Sequence, residues 1–294
     1  MLELSIANNR KHLLTNCSAA KSRTKRALCG KTDKTEISMG LWTLTHLYQI
    51  LPTFLILAVI AFIVAKALGK CKPQLRYIPL QIIAVVLLVL EVMKQINAAK
   101  GGSYDLYALP FHYCSLFLYV LPLHAFYHGK YSHVTDTMAL VCLASLFLDM
   151  LLMPQVIYSA DSIKSFFDGF SSFHTVVFHN LVVFYFMLTV ALKLYSINTK
   201  HDIKIMTVFL AIYVIIAATL SYSLKVNFHN LYKCNIPFIE DVRLAVVDAI
   251  GVFGTLIYVF ALFILTILFA YAAYFLTRLI IKCIDKLGAR KAAK

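Results

Sequence analysis

A histidine and a cysteine sit two residues apart in Leu109-Pro110-Phe111-His112-Tyr113-Cys114, inside an apolar stretch. The stretch is long enough to cross a membrane. An imidazole can take and return a proton, and a thiol can attack an acyl carbon once it is deprotonated. Both are poor residues to bury in hydrocarbon, so polar groups at this depth face a protein interior or an aqueous cavity and often mark function. Three other apolar stretches add Glu91 and Lys94, Asp149, and His179 followed by Asn180.

These groups fall at similar depth. At 1.5 Å per residue, His112 lies about 9 Å and Cys114 about 12 Å from one end of their span. Measured from the same side of the membrane, Glu91 lies about 9 Å in, His179 about 13 Å and Asp149 about 15 Å. Glu91 and Lys94 are spaced i,i+3 and can pair on one helix face, which serves insertion as well as function. Asp149 shares a stripe with Cys142 and Ser145 and so is expected to face a cavity. On a regular helix His112 and Cys114 point about 200° apart. They cannot act on each other directly unless Pro110 unwinds the chain. A base for Cys114 is then expected from another helix, with His179 at the right depth. Cys114 also shares a face with Phe117, Leu118 and Leu121, which suits a small core residue equally well. The histidines of this layer lack metal-ligand spacing, so no metal and no cofactor is expected.

The elements that must position these residues are transmembrane helices. Of 294 residues, 61% are hydrophobic and 14% charged, and mean hydropathy is +0.77. A soluble domain carries roughly 25% charged residues. The pattern predicts an all-α polytopic bundle of about seven spans, near 47–68, 77–97, 106–127, 136–159, 170–195, 203–224 and 249–277. Residues 39–282 form one membrane domain. Residues 1–38 read as a basic disordered tail or as sequence ahead of a true start at Met39, and residues 283–294 as a basic cytoplasmic tail. The sixth connection, about 225–248, begins Asn227-Phe228-His229-Asn230 and could cover the polar layer as a lid.

The net charge of +14 does not point to nucleic acid, because Lys and Arg cluster in the tails and in loops. Membrane lipids are the expected partners, through anionic headgroups. Composition assigns no oligomeric state. Call the side on which the first span begins side A, and the other side B. Side B collects Lys66, Lys70, Lys72, Arg76, Lys130, Lys193, Lys200, Lys204 and the C-terminal cluster from Arg278. Side A collects fewer near its spans, so side B is expected in the cytoplasm and the N-terminus outside the cell membrane. The cysteines show no C-x-x-C spacing and are odd in number, so neither a zinc site nor a disulfide framework is indicated.

The order of these motifs resembles a family. The Leu109-Pro110-x-His112-x-Cys114 run followed by Leu121-Pro122 resembles the YwaF-type bacterial integral membrane proteins. So do Glu91 and Lys94, Asp149 before Met153-Pro154, His179, and Asn227-Phe228. The resemblance covers about residues 40–280. That family is similar to the eukaryotic transmembrane protein 164 group, which is associated with phospholipid acyl transfer. The resemblance implies an acyl chain carried on cysteine with help from histidine. In the eukaryotic branch the cysteine directly precedes the histidine, where this chain has Phe111. The expected function is a lipid acyltransferase or acyl hydrolase in the outer half of the membrane. Cys114 would be the nucleophile, His112 or His179 the base, and Glu91 or Asp149 the residue orienting it. Lys94 and Asn227 would be supporting polar groups. The alternative is a transporter or small-ligand binder that uses the same layer, against which no inverted repeat is visible.

Overall fold

The computed structural model describes residues 42–100 and 102–292. The expected tail of residues 1–38 lies outside the described residues. Among those described, the chain is helical with no strand. The helices are α1 (Leu44–Leu68), α2 (Pro73–Ala99), α3 (Phe117–Phe126), α4 (Ser132–Leu152), α5 (Phe170–Ala191), α6 (Thr199–Leu224), α7 (Pro237–Ile250) and α8 (Val252–Ala292). Two short helical turns, Pro154–Ile157 and Ala160–Lys164, join α4 to α5. Among the described residues, α1, α2, α4, α5, α6 and α8 are long and apolar enough to cross a membrane. α3 has only 10 residues, so the third expected span is not a continuous helix. Its first half, Leu106–Leu116, is two 3-10 turns joined by extended chain.

Burial separates centre from rim. α4 packs against α3, α5, α6 and α8, and α5 against α1, α2 and α4. α4 carries small residues where its neighbours approach: Ala139, Cys142, Ala144 and Ser145 are all buried. Small residues let helix backbones close up in a membrane, where dispersion replaces the hydrophobic effect. By contrast α1 buries only His46, Ile50, Phe54 and Ala61, one stripe along one face. Its exposed Leu51, Leu55, Ile56 and Phe62 are what a lipid-facing surface requires. α2 repeats the pattern, burying Leu80, Ile83, Ala84, Leu87, Leu90 and Glu91.

The side-B end is tied by a buried carboxylate. Asp202, fully buried in the first turn of α6, accepts from Thr137 Oγ1 at 2.9 Å, from the Asn198 backbone N–H at 2.8 Å and from the Tyr274 hydroxyl. His133 Nε2 lies 3.1 Å from Asp202 Oδ1. One side chain thus holds α4, α6 and α8 in register, and several donors offset the cost of burying a charge. Nearby, His124 Nε2 donates to Leu194 O at 3.1 Å and Nδ1 lies 2.7 Å from the Tyr185 hydroxyl.

α8 has 41 residues, about 60 Å at 1.5 Å each, well beyond a hydrocarbon core of about 30 Å. At its start it folds back against α7 through Gly251, whose φ of +59° favours glycine. At Gly254 a Cβ would stand 2.7 Å from the Val246 carbonyl oxygen. The helical hairpin therefore closes only around glycine.

Two outcomes follow for purified protein in detergent, read by thermal unfolding. Asp202→Ala leaves the Thr137, Asn198 and Tyr274 donors buried without an acceptor and should cost roughly 3 kcal/mol, whereas Tyr274→Phe, which removes one donor, should cost about 1 kcal/mol. Gly254→Val should open the α7–α8 hairpin and release Tyr258, seen as faster proteolysis within residues 231–251. Unchanged melting of Asp202→Ala, or unchanged proteolysis of Gly254→Val, would contradict this packing.

Candidate functional site

The side-A polar layer is organised by the irregular segment Leu106–Leu116. Pro110 supplies no N–H and disfavours helix at the residue before it. Leu109 is accordingly extended, at φ −56° and ψ 140°. Phe111 N–H closes a tight turn onto Leu109 O at 2.8 Å. His112 is extended at φ −69° and ψ 158° and leads into the 3-10 turn Tyr113–Leu116. The regular-helix geometry that would set His112 and Cys114 200° apart therefore does not hold here; Pro110 does unwind the chain.

Open backbone at membrane depth needs hydrogen-bond partners from protein. Gln95 Nε2 donates to Ala108 O at 2.9 Å, the Tyr119 hydroxyl to Pro110 O at 3.1 Å, and the Tyr213 hydroxyl to Phe111 O at 3.3 Å. His112 Nε2 lies 3.0 Å from Tyr107 O. A carbonyl only accepts, so Nε2 carries the hydrogen, and Nδ1 of the neutral ring keeps a free lone pair. The ring is held between Tyr107, at 4.4 Å between centroids, and Phe228, at 5.1 Å.

Glu91 and Lys94 form the expected pair, Nζ to Oε2 at 2.9 Å. Gln95 also donates to the Glu91 carboxylate and accepts from the Tyr104 hydroxyl. This pair lies within electrostatic reach of both His112 and Cys114. Cys114 is a free thiol, partly buried against the core, with Tyr107 and Tyr213 near it.

The other expected residues separate into neighbouring groups. His179 is buried, and its Nδ1–H donates to Thr175 O at 2.7 Å. Its ring faces Tyr158 at 6.1 Å, and Tyr158 in turn is bound by His46 through its carbonyl and by Gln49 through its hydroxyl. Among the described residues no hydrogen bond joins His179 to Cys114, nor Asp149 or Glu91 to a histidine. Asp149 lies near Tyr113, which Cys142 and Ser145 also approach. The α5 histidine nearest Lys94 is His174. It is buried, stacks on Phe178 at 5.4 Å, and its Nε2 has no partner among the described residues. The i,i+4 spacing of His174 and Phe178 was the available signal for that shared face.

Asn227 shapes the sixth connection. Its Oδ1 accepts from the Tyr232 and Lys233 backbone N–H groups, both at 3.2 Å. The loop dips inward at His229 and Asn230, with φ of +51° and +58°. Fully buried Phe228 lies edge-on to Phe111 at 5.8 Å. His229 stacks on Tyr113 at 5.3 Å, and its Nε2 lies 3.1 Å from Thr266 Oγ1. The far end is pinned by Glu240, which accepts the Cys234 N–H at 2.7 Å and pairs with Arg243 through both oxygens, at 2.7 and 2.6 Å. Arg243 holds the Glu240 carboxyl below the usual carboxylate range.

A bundle of apolar helices, six of them long enough to cross a membrane among the described residues, defines a polytopic membrane protein. The sequence matches the model of the TMEM164 family over residues 41–273. That span is most of the chain, and the protein belongs to this family. No curated protein and no solved structure matches it.

Two measurements test this geometry. Gln95→Leu strips Ala108 O of its donor and should raise the rate of Cys114 alkylation by a membrane-permeant maleimide roughly tenfold, about 1.4 kcal/mol of loosening; an unchanged rate would mean the segment is held otherwise. For Glu240, a folded value below the unfolded one of about 4.5 means its contribution is complete above that pH and is lost as pH falls through the lower folded value. Hydrogen exchange of residues 228–236, corrected for intrinsic rate, should rise on acidification in that window, and Glu240→Gln should flatten the dependence.

Proposed function

We propose that this protein moves an acyl chain between membrane lipids, or from lipid to water, through a thioester on Cys114. The observation that carries the reading is the unwound Leu106–Leu116 segment. It takes His112 and Cys114 out of an α-helix, within electrostatic range of Lys94 and Glu91. In the proposed cycle, the lone-pair nitrogen of a neighbouring histidine takes the Cys114 proton. The thiolate then attacks the carbonyl carbon of a phospholipid ester. The S–C bond forms, the C–O bond to glycerol breaks, and the departing alkoxide takes its proton from the imidazolium. An acceptor hydroxyl or water reverses the sequence. Lys94 stands by to stabilise the oxyanion or a lipid phosphate.

His112 is the favoured base because its Nε2–H is fixed on Tyr107 O, which leaves Nδ1 free. His179 and His174 are the α5 candidates, and lipid binding that moves α5 would be needed for His179 to reach the thiol. Asp149 and Asn227 support the pocket, Asn227 through the loop. Membership in the TMEM164 family is consistent with lipid chemistry. We infer that side A faces the exterior, which puts the pocket in the outer leaflet.

The test is turnover of a phospholipid with one fluorescent acyl chain by purified protein in lipid nanodiscs. Wild type should release or transfer the labelled chain. Cys114→Ala should lower the rate to background, and His112→Gln should lower it by about 10²–10⁴ with the melting temperature unchanged. The same comparison for His174→Gln and His179→Gln ranks the three histidines. Turnover by Cys114→Ala equal to wild type would exclude the thioester route.

A further inference from the structure

A second polar site lies at the opposite end of the bundle. Pro73, Gln74 and Tyr77 of α2, His128 of the connection after α3, and Ser132 and Asp136 of α4 line a cavity of about 170 Å³. At about 30 Å³ per water molecule, that is room for a small organic group. The Tyr77 and His128 rings lie 4.1 Å apart and form one wall. Asp136 supplies the one carboxylate.

That carboxylate lacks a committed donor. Among the described residues its ion-pair neighbour is His124 Nε2, at 3.6 Å. The hydrogen on that nitrogen is already given to Leu194 O at 3.1 Å, and Nδ1 faces the Tyr185 hydroxyl at 2.7 Å. No Lys or Arg among the described residues comes within ion-pair distance of Asp136, although Lys130 is close to it in sequence and Lys72 and Arg76 adjoin the α2 lining residues. The contrast with Asp202, bound by several donors a few residues away in space, is direct. A carboxylate only 13% exposed and without a donor is costly unless a cation or a proton meets it.

The surroundings decide which cation. A hard inorganic ion takes about six or more oxygens. Here one carboxylate stands with the Ser132 and Tyr77 hydroxyls and the Gln74 amide, and no His, Cys, Asp or Glu group among the described residues is arranged to hold a metal. Aromatic faces beside a single anionic oxygen pair are the surroundings that suit an organic ammonium.

We propose that this cavity binds an alkylammonium group at the side-B surface, with Asp136 as counter-ion and Tyr77 and His128 as its aromatic wall. The group could be carried by a phospholipid headgroup or by a free amine. The site is separate from Cys114, so its test is independent of any acyl chemistry.

The experiment is thermal unfolding of the full chain. In detergent, choline is compared with its uncharged isostere 3,3-dimethylbutan-1-ol at equal concentration and ionic strength. Choline should give a saturable rise in Tm of about 3 °C and the alcohol none. In nanodiscs, phosphatidylcholine is compared with phosphatidylglycerol. A choline-specific gain in nanodiscs alone assigns the site to a lipid headgroup, and a gain in detergent assigns it to free amines as well. Either should vanish in Asp136→Asn and shrink in Tyr77→Ala. Equal effects of choline and the alcohol, no effect of choline in either setting, or an undiminished effect in Asp136→Asn would overturn the proposal. Should Asp136→Asn fail to fold, the choline-versus-alcohol comparison on wild type still decides.

Discussion

Backbone that leaves a helix inside a membrane must find hydrogen-bond partners from its own protein, and the side-A half of this bundle is arranged around that requirement. Between Leu106 and Leu116 the chain gives up helical bonding, and four side chains replace it. Gln95 comes from α2, Tyr119 from α3, Tyr213 from α6, and His112 from the segment itself. Each donor also fixes the helix that carries it. Losing one would loosen the segment and the packing of α2, α3 or α6 together. A histidine on extended chain and a thiol in a 3-10 turn are thereby held outside an α-helix.

The loop after α6 completes this arrangement. Phe228 and His229 insert against Phe111, His112 and Tyr113, so aromatic faces of the loop orient the His112 imidazole. The loop owes its shape to Asn227 and to the Glu240–Arg243 pair. At the other end, α4 meets two carboxylates, its own Asp136 and, through Thr137, Asp202 of α6. Asp202 is saturated with donors and serves packing, while Asp136 faces a cavity. Helices α4 and α5 therefore act as a rigid spine between two polar ends.

Much of this was legible in the residues. Hydropathy located the long helices, because a spanning helix needs about 20 apolar residues wherever it packs. The Glu91–Lys94 pair followed from i,i+3 spacing alone. Pro110 flagged the break, but only the partners that satisfy the freed carbonyls, distant in sequence, decide whether a chain kinks or unwinds. For that reason a full third span was expected where the helix runs only from Phe117 to Phe126. His174 and His179 show a related limit. Depth along α5 is readable from sequence, but which face turns toward α2 depends on packing, and His174 rather than His179 lies near Lys94. The side-B residues His124, Asp136, His133 and Asp202 were passed over because their partners come from separate helices at long sequence distance.

The central proposal is that Cys114, held in a 3-10 turn rather than an α-helix, carries an acyl group. Acid-quenching the protein during incubation with a phospholipid bearing a ¹³C-labelled acyl chain, then mapping adducts by peptide mass spectrometry, tests it directly. The account predicts a hydroxylamine-labile acyl adduct on the peptide containing Cys114, at a level that falls when an acceptor lysolipid is added. An acyl adduct confined to another residue, or lipid turnover with no adduct at Cys114 at any quench time, would contradict it.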